Sequence, residues 1–513
     1  MQGSSDNETI WKIDLPGEAA TLELARRIMP LVGPNDLVTL SGDLGAGKTT
    51  FARALIRLLT NDPQLEVPSP TFTLMQVYQT PAFPVVHADL YRIRDPSELA
   101  ELGWDEAAEG ALLIVEWADK AGGLPPDRLD ISLSLASGRD PNQRMVAITG
   151  HGAFSARVGR ARDIQALLER SGWGDARRTF MLGDASVRAY ERLTKPDGAK
   201  AILMISPPRP DGPPVRNGKP YSAIARLAED IRPFIAVDLA LRAQDLSAPE
   251  IYACDMEAGL AVLEDFGAEP VADERGPIPD RYGESTAALA ALHARDLPSY
   301  LPLDEEATYR VPVYDIDALL IEIELILEWY APHVARAPLS SSARAAFVNL
   351  WRPLLQQICA APTTWSLRDY HSPNLIWLPE REGVRKVGII DFQDCVLGHP
   401  AYDLVSLLQD ARVTVSDELE LKLLGYYARL RQADTPDFNM TDFARAYAVL
   451  GAQRATKILG IFARLDRRDG KPQYLAHIPR VERYLAKDLA HPDLAPLRAW
   501  YENHLPRAVS SRA

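Results

Sequence analysis

The octapeptide Gly42-Asp43-Leu44-Gly45-Ala46-Gly47-Lys48-Thr49 constrains this chain more than any other stretch. It satisfies G-x-x-x-x-G-K-[ST], and it lies between the apolar run Leu37–Ser41 and the helical pattern Lys48–Leu59, the context such a loop requires. Glycines let backbone N–H groups curl around phosphate oxygens where a side chain would clash. Lys48 offers a point charge to the β- and γ-phosphates, and Thr49 offers a hydroxyl to Mg²⁺. The helix starting near Lys48 turns its positive dipole end toward the same anion. In a chain of 513 residues the pattern arises by chance about 0.02 times, and the strand and helix lower that further.

Around this loop, residues 85–90, 111–117, 129–135 and 144–149 read as strands and 21–29 as a helix. The alternation predicts an α/β sheet over residues 1–155. A nucleotide held by Lys48 and Thr49 needs a further acidic group for Mg²⁺ or its water. Asp89 and Glu116 both end apolar strands, where open α/β sheets bind ligands, and spacing does not choose between them.

The combination and order of Ser69-Pro70-Thr71-Phe72-Thr73, His87-Ala88-Asp89-Leu90-Tyr91-Arg92 and Val115-Glu116-Trp117 with the phosphate loop closely resemble the TsaE family, the ATPase of tRNA threonylcarbamoyladenosine biosynthesis. The resemblance covers residues 10–150. It implies that Gly42, Gly45, Ala46, Gly47, Lys48, Thr49 and Thr50 bind ATP, and that Glu116 is a metal or catalytic carboxylate. Thr71 would lie in a nucleotide-sensing loop and Trp117 beside the phosphates. It also implies partners, the subunits that transfer threonylcarbamoyl to tRNA, with tRNA itself touched only indirectly.

Residues 150–161 carry few apolar side chains and read as a linker or domain edge, so a second unit is expected over 162–505, opened by a helix at 163–170. Three strands follow, at 178–182, 187–193 and Lys200–Ile205, and from residue 284 onward helices dominate (284–295, 315–329, 342–359). Two short strands, 375–378 and 387–390, interrupt them. Strands first and helices later predict an α+β, two-lobed, kinase-like domain.

Within it, Asp369 and Asn374 stand five apart and Asp391 follows an apolar strand. In kinase-type phosphoryl transfer an Asp accepts the acceptor hydroxyl's proton, an Asn five residues on binds Mg²⁺, and a strand-end Asp binds the metal bridging the phosphates. Asp369 is therefore the expected base, with Asn374 and Asp391 as metal ligands. The spacing D-x₄-N alone says nothing; the apolar-strand Asp and the lobed pattern give it content.

These residues, with Leu263-Glu264-Asp265-Phe266-Gly267 and Gly398-His399-Pro400-Ala401-Tyr402-Asp403-Leu404, resemble aminoglycoside phosphotransferase-type kinases. Within that group the resemblance is greatest to N-acetylmuramate/N-acetylglucosamine 1-kinases. It implies ATP and Mg²⁺, an amino-sugar acceptor, and a structural role for Asp403. Gly183 and Ser186 would cover ATP in one tight turn. The sequence departs from the pattern at Leu367, at Gln393 and above all at the strand lysine that clamps phosphates in protein kinases. Met204 is near its place, and Arg188 or Arg192 is left to supply the charge. Two rival readings are a kinase for another small alcohol and a degenerate scaffold that only binds ligand.

A net charge of −14 opposes an extensive nucleic-acid surface. Cys254, Cys359 and Cys395 are far apart and read as reduced thiols. With no membrane-length apolar run, and residues 1–9 polar and acidic, the chain is expected to be cytoplasmic with no membrane partner.

Overall fold

A computed structural model describes residues 8–101, 103–135, 142–181, 188–208, 212–304 and 306–510. Its internal contacts divide the chain into Met1–Gly174 and Asp175–Ala513.

The first unit is built on seven strands: β1 (Thr9–Leu15), β2 (Leu37–Ser41), β3 (Met75–Tyr78), β4 (Val85–Asp89), β5 (Leu112–Glu116), β6 (Arg128–Leu135) and β7 (Arg144–His151). Their order is β1-β7-β6-β2-β5-β4-β3. The central strands β6, β2, β5 and β4 run parallel. β2 is buried at four of its five positions and β4 at all five, as expected of parallel strands covered on both faces. Helices α1 (Glu18–Ile28) and α2 (Lys48–Leu59) contribute Leu24, Ile28, Phe51 and Leu55 to the larger core, which also holds Val38 and Ile114. A smaller core around Leu90, Ile93 and Val115 is separate from it.

The expected linker is not one. Residues 144–151 complete β7, and Ala153–Arg170 forms a single helix, α3, whose Phe154, Val158 and Ala161 join the larger core. Few apolar residues are needed here because they fall on one helical face, at spacings of four and three. The first unit therefore extends to Gly174, and the second opens at Asp175 with a strand. β1, absent from the expected strands, pairs along its whole length with β7, from Thr9 opposite Gly150 to Leu15 opposite Arg144.

The second unit begins with a five-stranded antiparallel sheet in which three strands are expected from sequence. β8 (Arg177–Met181), β9 (Ala189–Thr194) and β10 (Lys200–Ile205) are joined by β11 (Ile251–Asp255) and β12 (Leu260–Glu264), in the order β11-β12-β10-β9-β8. The two unexpected strands form a hairpin that turns at Gly259, whose φ is +67°. Arg178 makes a two-pronged bond to Glu191 across β8 and β9.

Beyond Glu264-Asp265-Phe266-Gly267 the unit is helical. Helices α4 (Pro279–His293), α5 (Ile316–Leu325), α6 (Ser341–Ala360), α7 (Ala401–Leu408) and α8 (Met440–Arg467) share one continuous core. Two antiparallel strand pairs interrupt them: β13 (Thr364–Ser366) pairs with β16 (Val396–Gly398), and between these β14 (Leu375–Trp377) pairs with β15 (Val387–Ile389). Among the described residues no helix is long and apolar enough to cross a membrane.

Candidate functional site

The first site forms where β2, β5 and β4 end side by side, with Leu40 and Asp89 each in register with Glu116. The loop after β2 carries Gly42, Gly45 and Gly47 at φ of +130°, +79° and +107°, values that side chains oppose. At Gly42 a Cβ would also overlap the carbonyl oxygen of Leu133, so both the turn and the close approach require glycine. Ala46 is buried beneath the loop, and its carbonyl accepts from Arg144 Nε at 3.1 Å.

Lys48 is buried, donates to the carbonyls of Gly42 at 2.7 Å and Asp43 at 3.0 Å, and lies 4.2 Å over the Trp117 ring. Trp117 is held in the left-handed region, with φ +58°, immediately after β5. Thr49 donates to Glu116 at 2.8 Å, and Glu116 meets His87 Nε2 at 3.0 Å. Thr71 donates to Asp89 at 2.7 Å. Thr50 follows in the first turn of α2. Spacing left Asp89 and Glu116 equal; the structure separates them by giving Thr49 to Glu116 and Thr71 to Asp89.

The second site lies in a cavity of about 610 Å³ within the second unit. Ile202 and Leu263 from the sheet, Asp369, Asn374 and Asp391 from the hairpin segment, and Arg454 and Lys457 from α8 all line it. Asn374 Nδ2 donates to the carbonyl of Asp369 at 3.0 Å and reaches Asp391 Oδ2 at 3.5 Å. The three residues singled out from sequence therefore share one floor. Arg368 and Asp391 have φ of +64° and +59°, so backbone strain is concentrated beside Asp369 and Asn374.

Fully buried Asp403 holds the segment before Asp369 by accepting from Leu367 N at 2.7 Å, Arg368 N at 2.8 Å and Ser366 Oγ at 3.1 Å. Asp410 does the same for Ser372 N at 2.9 Å. Gln393, one of the departures from the protein-kinase pattern, donates to Asp391 Oδ1 at 2.9 Å and so supports the carboxylate.

Met204 is fully buried in the core, and Ile202 is the residue of β10 that faces the cavity, so β10 supplies no cation there. Of the two arginines left open, Arg192 binds Asp265 Oδ2 at 2.7 Å, whereas Arg188 binds Asp391 Oδ1 at 2.9 Å. Gly183 and Ser186 lie outside the described residues.

Burial pushes the Asp369 carboxyl upward, but His371 first, then Lys457, Arg454 and Arg368, outweigh it and hold it below the ordinary range. Desolvation raises Asp391, and nearby Asp369 adds to that against the pull of Arg188. Burial pushes His371 down to about 4, which leaves its ring neutral at physiological pH. His293 is likewise lowered by burial; it bonds Tyr427 at 2.9 Å inside the core, as a packed histidine does.

Among the described residues no group of three or more His, Cys, Asp or Glu could hold a metal ion. Mg²⁺ does not need one, because it keeps waters and phosphate oxygens as ligands. Asn374 turns its Nδ2 to protein acceptors, which leaves its Oδ1 and the Asp391 carboxylate as oxygen donors, a set that fits Mg²⁺. Thr49 and Glu116 offer a comparable oxygen pair in the first unit.

Sequence reasoning missed Arg144, Arg454 and Lys457. Each belongs to its site only through folding, from a strand start or a long helix with no local motif. His87 appears in the sequence only as one letter of a motif, yet it lies against Glu116.

A family model described as Threonylcarbamoyl adenosine biosynthesis protein TsaE matches residues 15–145, and one described as Phosphotransferase enzyme family matches residues 178–444. An N-acetylmuramate/N-acetylglucosamine kinase of Caulobacter vibrioides is 42% identical over 356 residues, 66% of this chain and 95% of that protein. One from Pseudomonas putida is 30% identical over 336 residues, 64% of this chain and 90% of its own length. A tRNA threonylcarbamoyladenosine biosynthesis protein TsaE of Rickettsia felis is 37% identical over 145 residues, 28% of this chain and 82% of its own.

Proposed function

Because the chain belongs to the TsaE family in its first unit and to the phosphotransferase enzyme family in its second, we propose that it is a bifunctional fusion of an ATPase and an amino-sugar kinase. The first unit hydrolyses ATP in support of tRNA threonylcarbamoyladenosine formation, acting with the subunits that carry out the transfer. The second phosphorylates N-acetylmuramate or N-acetylglucosamine at the anomeric hydroxyl.

The observation that carries the kinase reading is the convergence of Asp369, Asn374 and Asp391 on one cavity floor, with the Asp369 carboxylate held in its basic form. Asp369 receives the proton of the sugar hydroxyl as that oxygen attacks the γ-phosphorus. A new O–P bond forms, the bond to the β-phosphate oxygen breaks, and ADP leaves with the electron pair. Arg188 places a positive charge at the phosphate side of the cavity. Mg²⁺, held by Asn374 and Asp391, would neutralise charge developing on the phosphates.

In the first unit Lys48 and the loop N–H groups bind the phosphates, and Thr49 and Glu116 would hold Mg²⁺. Glu116, braced by His87, is the carboxylate placed to orient the attacking water. Asp89 holds the Thr71 loop against the same strand ends.

The test is transfer of labelled phosphate from ATP to each sugar, comparing wild type, Lys48→Ala and Asp369→Ala. Transfer that survives Lys48→Ala and is lost in Asp369→Ala is the expected result. No transfer to either sugar from folded, ATP-binding protein would overturn the kinase reading in favour of a scaffold or another alcohol.

A further inference from the structure

Arg144 opens β7, in register with Leu135 at the end of β6 and Leu15 at the end of β1. From there its side chain crosses to the phosphate loop, 98 residues earlier in the chain. Its Nε donates to the Ala46 carbonyl at 3.1 Å, and its Nη2 reaches the Gly45 carbonyl at 3.4 Å. These two N–H groups share one edge of the planar guanidinium, so a single rigid fork takes two successive carbonyls. The same loop meets β6 at Gly42, where no Cβ fits against the Leu133 carbonyl. Two neighbouring strands therefore hold the loop, β6 by close approach and β7 by charge-assisted hydrogen bonds.

A planar trans peptide points its N–H away from its carbonyl. Holding the Ala46 carbonyl on Arg144 therefore turns the Gly47 N–H the opposite way. Gly47, at φ +107°, caps the start of α2, where phosphate oxygens are received. The Ala46 N–H is already engaged in the turn, donating to the Asp43 carbonyl at 3.1 Å. Among the described residues no backbone carbonyl receives the Gly47 N–H.

We propose that Arg144 is a positioning residue of the ATP site, fixing the Gly45–Gly47 backbone so that the loop is shaped for phosphate before nucleotide arrives. This rests on the ATP-binding reading of the first unit and deepens it. Without the guanidinium, the two peptide units between Gly45 and Gly47 are free to rotate about glycine, and the incoming anion must order them as it binds. Arg144 acts through the loop backbone, so its loss weakens nucleotide binding and leaves Lys48, Thr49 and Glu116 in place for the chemistry.

Calorimetric titration of the full chain with ATP should give two binding sites, and the one lost in Lys48→Ala belongs to the first unit. Arg144→Ala should weaken that site about tenfold. Arg144→Lys, which can meet one carbonyl but not both, should recover part of the loss. The ATP KM for sugar phosphorylation by the second unit should stay as in wild type. For ATP hydrolysis in an Asp369→Asn background, Arg144→Ala should raise KM by the same factor as Kd while kcat holds. An unchanged first-site Kd in Arg144→Ala would overturn the proposal. So would a fall in kcat with KM unchanged, which would put Arg144 in the chemistry itself. If Arg144→Ala does not fold, Arg144→Lys and Arg144→Gln decide the matter by the same two readouts. Should Lys48→Ala remove no ATP binding, the ATP-binding reading of the first unit would fall instead.

Discussion

Arg188 Nη1 donates to Asp391 Oδ1 at 2.9 Å, joining residues 203 positions apart at the mouth of the phosphate site. In protein kinases a strand lysine carries the corresponding charge. Here β10 offers Met204 to the core and Ile202 to the cavity, and the guanidinium of Arg188, just before β9, meets Asp391. Charge-assisted bonds of this kind contribute about 1.5–3 kcal/mol. Arg188→Ala should therefore raise KM for ATP and lower kcat/KM for sugar phosphorylation by roughly 10–100-fold. Arg188→Lys should recover part of it. Steady-state kinetics with unchanged values for Arg188→Ala would remove the residue from the phosphate site.

Asp369→Asn should abolish sugar phosphorylation by roughly 10²–10⁴-fold while leaving ATP hydrolysis by the first unit in place. Because His371 and the neighbouring Lys457, Arg454 and Arg368 outweigh the effect of burial, Asp369 is held below the ordinary carboxylate value. The acid limb of kcat/KM for the sugar should accordingly fall below about pH 4 rather than near the histidine range of about 6.5. A limb near 6.5 would point to a different base.

Glu116→Gln keeps the shape of the Thr49 contact and removes the charge. ATP hydrolysis by the first unit should fall by about 10²-fold, with sugar phosphorylation intact, measured as phosphate release in the absence of sugar. Retained hydrolysis would move the essential carboxylate to Asp89.

Asp238 is a stability liability in the helix Arg232–Ala243. Fully buried, with neither carboxylate oxygen hydrogen-bonded, it is pushed by desolvation up to about 8. The folded state thus keeps a proton that the unfolded chain releases near 3.9. The stabilising contribution is full below about pH 3.9 and is lost as pH rises through about 8. Asp238→Asn should match wild type near pH 4 and exceed it increasingly toward pH 8, at about 1.4 kcal/mol per unit and by up to about 6 kcal/mol. Urea midpoints that stay parallel across this range would refute the assignment.

Much of both sites was legible because phosphate chemistry demands fixed local spacing. The loop from Gly42 to Thr49 must be continuous, and Asp369 and Asn374 must share one short loop, so each can be read without knowing the fold. The strand-end carboxylates Asp89 and Glu116 were legible as a pair but not as individuals. Only the neighbouring strands β4 and β5, and the loop brought against them, assign Thr71 to one and Thr49 to the other.

The boundary near residue 155 was misread for the opposite reason. The few apolar residues of 150–161 look like a linker as composition, and become a helix face only when β1 and β7 provide a sheet for Phe154 and Val158 to cover. β1 itself pairs with a strand more than a hundred residues away.

By itself, the sequence determined which chemistries this protein carries: phosphate loops, strand-end carboxylates and a catalytic loop are specified by neighbours in the chain. The tertiary structure alone decided which distant cations serve them. Arg144 and Arg454 lie in no motif, and Arg188 was one of two candidates; each reaches its site because packing of strands and helices brings a distant guanidinium against it.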